Sequence, residues 1–91
     1  MSGSMSDLKR KIEEHILTAV PNAHVIVRDP LNDNAHFEAT VVSEVFVGMP
    51  LAHQHRRVMQ SLKDLFAGEV HALSLKTYTP EKWAKSANFQ D

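Results

Sequence analysis

Val70-His71-Ala72-Leu73-Ser74-Leu75-Lys76-Thr77-Tyr78-Thr79-Pro80-Glu81-Lys82-Trp83 reads as one strand running straight into one capped helix. Thr79 offers a hydroxyl cap, Pro80 suits the first helical turn, and Glu81 complements the positive end of the helix dipole. Trp83 would pin that helix to the body. The second residue of the stretch is a histidine where a plain strand favours a β-branched residue. His71 follows the Gly68 turn closely, so a versatile ligand sits at the mouth of a short strand.

Upstream, Leu51, His55, Val58, Met59, Leu62, Leu65 and Phe66 keep the spacing of a buried helical stripe. Pro50 is preorganised for the first position of that helix, and Gly68 fits the left-handed position that closes it. Phe46-Val47-Gly48-Met49-Pro50 is a turn. His36 to Ser43 alternates, with Phe37, Ala39 and Val41 on one side and His36, Glu38, Thr40 and Val42 on the other. His24-Val25-Ile26-Val27-Arg28 is a β-branched strand, separated from the next by the turn-rich Asp29-Pro30-Leu31-Asn32-Asp33-Asn34. The two strands pair as a hairpin. Near the start, Ser6 caps a helix from about Asp7 to Ala19, with Leu8, Ile12 and Ile16 on one face. The order α-β-β-α-β-α predicts an α+β two-layer sandwich: a three-stranded mixed sheet with helices on one face. One domain over residues 6–86 is expected, with a fraying 87–91 end. Met1-Ser2-Gly3-Ser4-Met5 reads as an added leader, with Met5 as the natural start.

Composition narrows the function classes. The chain has 91 residues, 43% apolar and 23% charged, with a net charge of −1. That charge is too small to argue for electrostatic capture of nucleic acid or anionic lipid. Residues 1–45 carry four Lys/Arg against seven Asp/Glu, and residues 46–91 six against four, a mild asymmetry. There is no cysteine, so disulfides, thiol nucleophiles and self-sufficient iron–sulfur sites are excluded. No apolar run is long enough to cross a membrane, and no signal peptide is visible. A cytoplasmic protein is expected. GxSxG, P-loop, GxGxxG and HExxH patterns are absent, and no nucleophile–base pair is visible, so an enzyme is not expected.

Six histidines need sorting. His15 and His24 read as boundary residues. His53 and His55 lie about 200° apart on a helix and cannot share an ion. His55 falls on the buried stripe and reads as a hydrogen-bonded structural histidine. His36 and His71 each begin a strand beside a flexible segment, where a side chain is exposed yet positioned. Only the fold can bring these two together.

Phe46-Val47-Gly48-Met49-Pro50-Leu51, His55-Arg56-Arg57-Val58 and Val70 to Pro80 together resemble the BolA family, over nearly all of the chain from Leu8 to Trp83. The short loop after the first strand and the Pro80-Glu81-Lys82-Trp83-Ala84 ending look most like its short bacterial IbaG-type members. The resemblance implies the α+β fold above, with an order of elements close to a type II KH domain but no GXXG loop. It implies a non-enzymatic adaptor that binds a monothiol glutaredoxin with glutathione and helps ligate a bridging [2Fe-2S] cluster, in cluster trafficking or iron homeostasis. The partner's thiolates fit the missing cysteine, and mixed histidine–thiolate ligation tends to raise the reduction potential. His71 matches the family's C-terminal histidine and inherits the ligand role. The loop 29–34 has neither the His nor the Cys many members place there, so His36 is the nearby second ligand, with Asp33 a weaker oxygen donor. His55 matches a family histidine of structural role.

The alternative is a DNA-binding transcriptional regulator of stress response and cell morphology, contacting phosphates through Arg56, Arg57 and Lys76. A homodimer is also compatible with the resemblance.

Overall fold

In the computed structural model, residues 7–68, 70 and 72–89 are described, with residues 7 and 87–89 as backbone only. The Ser6 cap and His71 lie outside the described residues. Helix α1 spans Asp7–Ala19, strand β1 His24–Arg28, β2 His36–Val42, helix α2 Leu51–Ser61, α3 Lys63–Phe66, β3 Ala72–Tyr78 and α4 Pro80–Phe89. A 3-10 turn covers Glu44–Phe46.

The sheet order is β1-β2-β3. β1 and β2 run antiparallel as a hairpin, and β2 and β3 run parallel, so the sheet is mixed as expected. A parallel pair needs a long crossover, and α2–α3 provides it. Leu8, Ile12, Ile16 and Val20 recur at four-residue spacing and are buried against Phe37, Ala39 and Val41 of the alternating strand. Val58, Leu62 and Leu65 close the core from α2–α3, with Phe46 fully buried beneath the loop before α2. Each fully buried side chain of this size contributes about 1.5–3 kcal/mol of transfer free energy.

Four local expectations change. The long helix breaks at Leu62, whose φ of −102° and ψ of 5° leave the helical basin, so α2 and α3 are separate. Leu51 is 59% exposed, and the buried stripe begins instead at Gln54. Its amide is more useful inside, where it meets carbonyls that an apolar residue would strand. Gly68 has no positive φ; the helix end closes with Ala67 in a right-handed conformation and a Val70 N–H to Leu65 carbonyl bond of 2.9 Å. The glycine that does use its freedom is Gly48, at φ 78°. Finally, α1 and α2 cover one face of the sheet, but α4 turns to the other. Trp83 lies 5.2 Å from the Tyr78 ring and 6.4 Å from the His24 ring, centroid to centroid. Both are outward residues by strand parity. Val42, their register partner, is thereby buried although it points away from the core.

The cap on α4 forms as read: Lys82 N–H donates to Thr79 Oγ1 at 3.3 Å, and Trp83 N–H to the Thr79 carbonyl at 2.9 Å.

Candidate functional site

The loop 29–35 is held by its own carboxylates. Asp29 accepts from the Asp33 N–H (3.2 Å) and the Asn34 N–H (2.9 Å). Asp33 Oδ1 in turn accepts from the Ala35 and His36 N–H groups at 3.0 and 3.1 Å. Asn32 and Asn34 take left-handed backbone, at φ 55° and 57°, which asparagine tolerates better than most residues. The loop therefore delivers its last residues to β2 in a fixed geometry.

His36 receives the result. Its Nδ1 lies 2.7 Å from Asp33 Oδ2, and its side chain is 51% exposed. The His36 side chain, with the His36 and Ala35 backbone N–H groups, lowers the Asp33 carboxyl to about 2. An ionised carboxylate can only accept, so Nδ1 carries the proton and donates it. No bond to Nε2 occurs among the described residues. A carboxylate behind one imidazole nitrogen fixes the ring and its tautomer, the arrangement found behind metal-bound histidines. Asp33 is thus occupied as the residue that orients His36. The signal was a carboxylate three residues upstream in a turn-rich loop.

Ala72 pairs with His36 across the parallel ladder, and Ala72 N–H bonds the Ala35 carbonyl at 3.2 Å. The start of β3 is therefore tied to the end of the loop that holds His36. The ligand expectation for His71, the chain neighbour of Ala72, lies outside the described residues.

The donor set fits a shared iron–sulfur centre only as the minority side. No group of three or more His, Cys, Asp or Glu able to hold a metal occurs among the described residues, and the chain has no thiol. His36 fits as a nitrogen ligand, while the soft ligands would have to come from a partner.

Of the other singled-out residues, Arg56 and Arg57 are brought together on α2 and the rest lie apart. Arg57 donates from Nε and Nη2 to the Ala19 carbonyl at 3.3 and 3.2 Å, closing the C-terminal end of α1. Arg56 is exposed on α2 and lines a concavity with Arg57, Met49, His53 and Gln60. Lys76 points to the opposite side of the sheet, next to Thr40 in register. The three basic residues therefore make no single patch. His55 is half-buried and makes none of the hydrogen bonds expected of it among the described residues. His15 bonds the Lys11 carbonyl through Nδ1 at 2.8 Å.

One polar cluster was not anticipated. Thr77 Oγ1 donates to Gln54 Oε1 at 2.6 Å, and Gln54 Nε2 donates to the Met49 carbonyl at 2.8 Å and towards the Phe46 carbonyl at 3.4 Å. It ties β3 to the Phe46–Met49 turn. Thr77 shares inward parity with Leu73 and Leu75, and Gln54 sits four residues before Val58; those phases were the available signal.

Residues 9–82 match the family model described as BolA-like protein. The DNA-binding transcriptional regulator BolA of Vibrio cholerae is 44% identical over 59% of this chain and 51% of its own length, so the chain spans about half of that relative. The protein of the same name from Escherichia coli is 30% identical over 84% of this chain and 79% of its own. The structure of a BolA protein homologue from Coxiella burnetii superposes with a TM-score of 0.70 at 33% identity, over 92% of this chain and 99% of that one. With the family model matched across its helices and sheet and the fold reproduced, the chain belongs to the BolA family.

Proposed function

We propose that this protein is a non-enzymatic adaptor that supplies histidine nitrogen to a [2Fe-2S] cluster shared with a monothiol glutaredoxin and glutathione. The observation that carries the reading is the His36–Asp33 contact: an exposed imidazole, held at Nδ1, with no bond to Nε2 among the described residues. His36 and His71 are the two ligands from this chain, and the partner's thiolates complete the set. When bound, such a cluster gains a raised reduction potential from its histidine ligands. This chain's own residues hold an imidazole in the ligand tautomer and keep its loop in place.

Anaerobic co-expression with a monothiol glutaredoxin and glutathione tests it. A coloured complex is expected, with absorption and circular dichroism bands that change in His36→Ala and in His71→Ala. An uncoloured mixture, or spectra unchanged in both variants, would sink the proposal. Acidification should also bleach the complex, because a ligating nitrogen must be deprotonated.

A second reading, duplex DNA binding, draws on the names of the Vibrio and Escherichia relatives. Its test is the salt slope of duplex affinity. Arg56→Ala should reduce that slope by about 1 if Arg56 contacts a phosphate. A slope unmoved by Arg56→Ala removes this residue from the interface.

A further inference from the structure

One flank of α2 is apolar, reachable and without a partner. Leu51, His55 and Met59 follow i, i+4, i+8 spacing and so form one row, about 12 Å long. Leu51 is exposed, and His55 and Met59 are half-buried. Arg57, which meets α1 at the Ala19 carbonyl, lies nearly opposite this row around the helix. Helix α1 therefore covers the other side of α2 and leaves the row open. Of the four large apolar side chains exposed among the described residues, three lie within residues 45–51, the segment that leads into this end of α2. Single exposed apolar residues are ordinary, whereas a concentration of them marks an interaction site. The segment is also built: Met49 N–H bonds the Phe46 carbonyl at 3.0 Å, and Gln54 Nε2 bonds the Met49 carbonyl at 2.8 Å.

Charge selects what covers the row. From Val45 to Ser61 the chain has no Asp or Glu, against two Arg and two His, in a protein whose net charge is −1. Arg56 and Ala52 border the row on the water side, and both are exposed. Arg56 forms no ion pair or side-chain hydrogen bond among the described residues, and neither does His55. The complement is a surface with aliphatic side chains for Leu51 and Met59 and a carboxylate for Arg56. A phosphate backbone offers nothing to the two apolar residues, and one free arginine falls short of the several contacts that hold a duplex. An anionic lipid surface calls for a cluster of about four to eight basic side chains, which α2 lacks. A protein helix matches both halves, because a row at i±4 spacing is the ridge against which another helix packs.

We propose that this flank of α2 docks an acidic amphipathic helix of a partner protein, with its aliphatic side chains on Leu51 and Met59 and a carboxylate at Arg56. His36 opens β2 and Leu51 follows the far end of that strand, about 20 Å along it. The docking surface does not rest on the histidine reading. Where both hold, the protein joins a cluster-sharing partner at one end to an acidic partner at the other.

The test is the fluorescence anisotropy of a labelled synthetic helix with leucines at i, i+4 and i+8 and glutamates beside them. A second peptide has lysine in place of each glutamate. The glutamate peptide should bind, less tightly as salt rises, and the lysine peptide about tenfold more weakly or worse. Arg56→Glu and Leu51→Ser should each weaken the glutamate peptide about tenfold. His36→Ala should leave it unchanged, so the two readings fail separately. No binding of the glutamate peptide, or equal binding of both peptides, overturns the proposal. So does binding that Arg56→Glu and Leu51→Ser leave unchanged while circular dichroism shows them folded, or binding lost in His36→Ala. Duplex DNA or phosphatidylserine vesicles that displace the peptide, and lose their own binding in Arg56→Glu, would give the surface to phosphate and overturn it as well.

Discussion

Two polar clusters in this small protein use the same chemistry in opposite surroundings. Gln54 and Thr77 meet inside, and every side-chain atom that is buried there has a partner. Asp33 and His36 meet at the surface, and the other ring nitrogen has no partner among the described residues. A buried polar group must be satisfied because its desolvation is otherwise uncompensated. At the surface water settles that debt, so an atom can stay available for a ligand. Satisfaction therefore marks the cluster that holds the fold, and incompleteness marks the one suited to bind.

The strongest way to break this contrast is from inside. Gln54→Ala should cost about 2–4 kcal/mol, read by urea unfolding, because it opens a cavity and strands the Met49 carbonyl and the Thr77 hydroxyl. A cost below that of an ordinary surface substitution would show that water replaces the amide. Thr77→Val keeps the shape but leaves Gln54 Oε1 without its donor, and should cost about 1–3 kcal/mol. Arg57→Ala removes the bonds to the Ala19 carbonyl at an exposed site and should cost about 0.5–1 kcal/mol, with Arg56→Ala near zero. Equal effects of the two arginines would refute the capping role.

The smallest stability effect belongs to the surface cluster, and it is better read as a titration. The Asp33 carboxyl should titrate near 2 by NMR, and His36→Ala should return it towards the ordinary 3.8. A depressed folded-state value stabilises the protein above the ordinary value. That contribution is complete above about pH 4 and is lost as the pH falls towards 2. An Asp33 signal already titrating near 4 in the intact protein would dissolve the contact that carries the ligand reading.

Much of the architecture was legible along the chain. The four-residue spacing of Leu8, Ile12 and Ile16, the alternation of Phe37, Ala39 and Val41, and the Thr79-Pro80 cap each report a local period or a local bond. Such signals survive without knowledge of neighbours. Leu51 and Gln54 were misread for the converse reason. Hydrophobicity favoured Leu51 inside, but the carbonyls of Phe46 and Met49 need a donor, and only the folded loop brings them to the helix. Gly68 was likewise assigned a left-handed conformation that it does not take, the helix end closing through right-handed Ala67 instead.

The candidate site divides in the same way. The sequence alone determined that the chain has no thiol of its own and that His36 opens a strand. Those are facts of composition and period. Only the tertiary structure decided that Asp33 holds the His36 ring, that Ala72 lies opposite it, that Arg57 is spent on a helix end, and that Lys76 faces away from Arg56. The first is set by the hydrogen bonds of one loop, and the others depend on the handedness and register of strands and helices far apart in sequence. A side chain's neighbours, unlike its own polarity, are fixed only when the whole core closes.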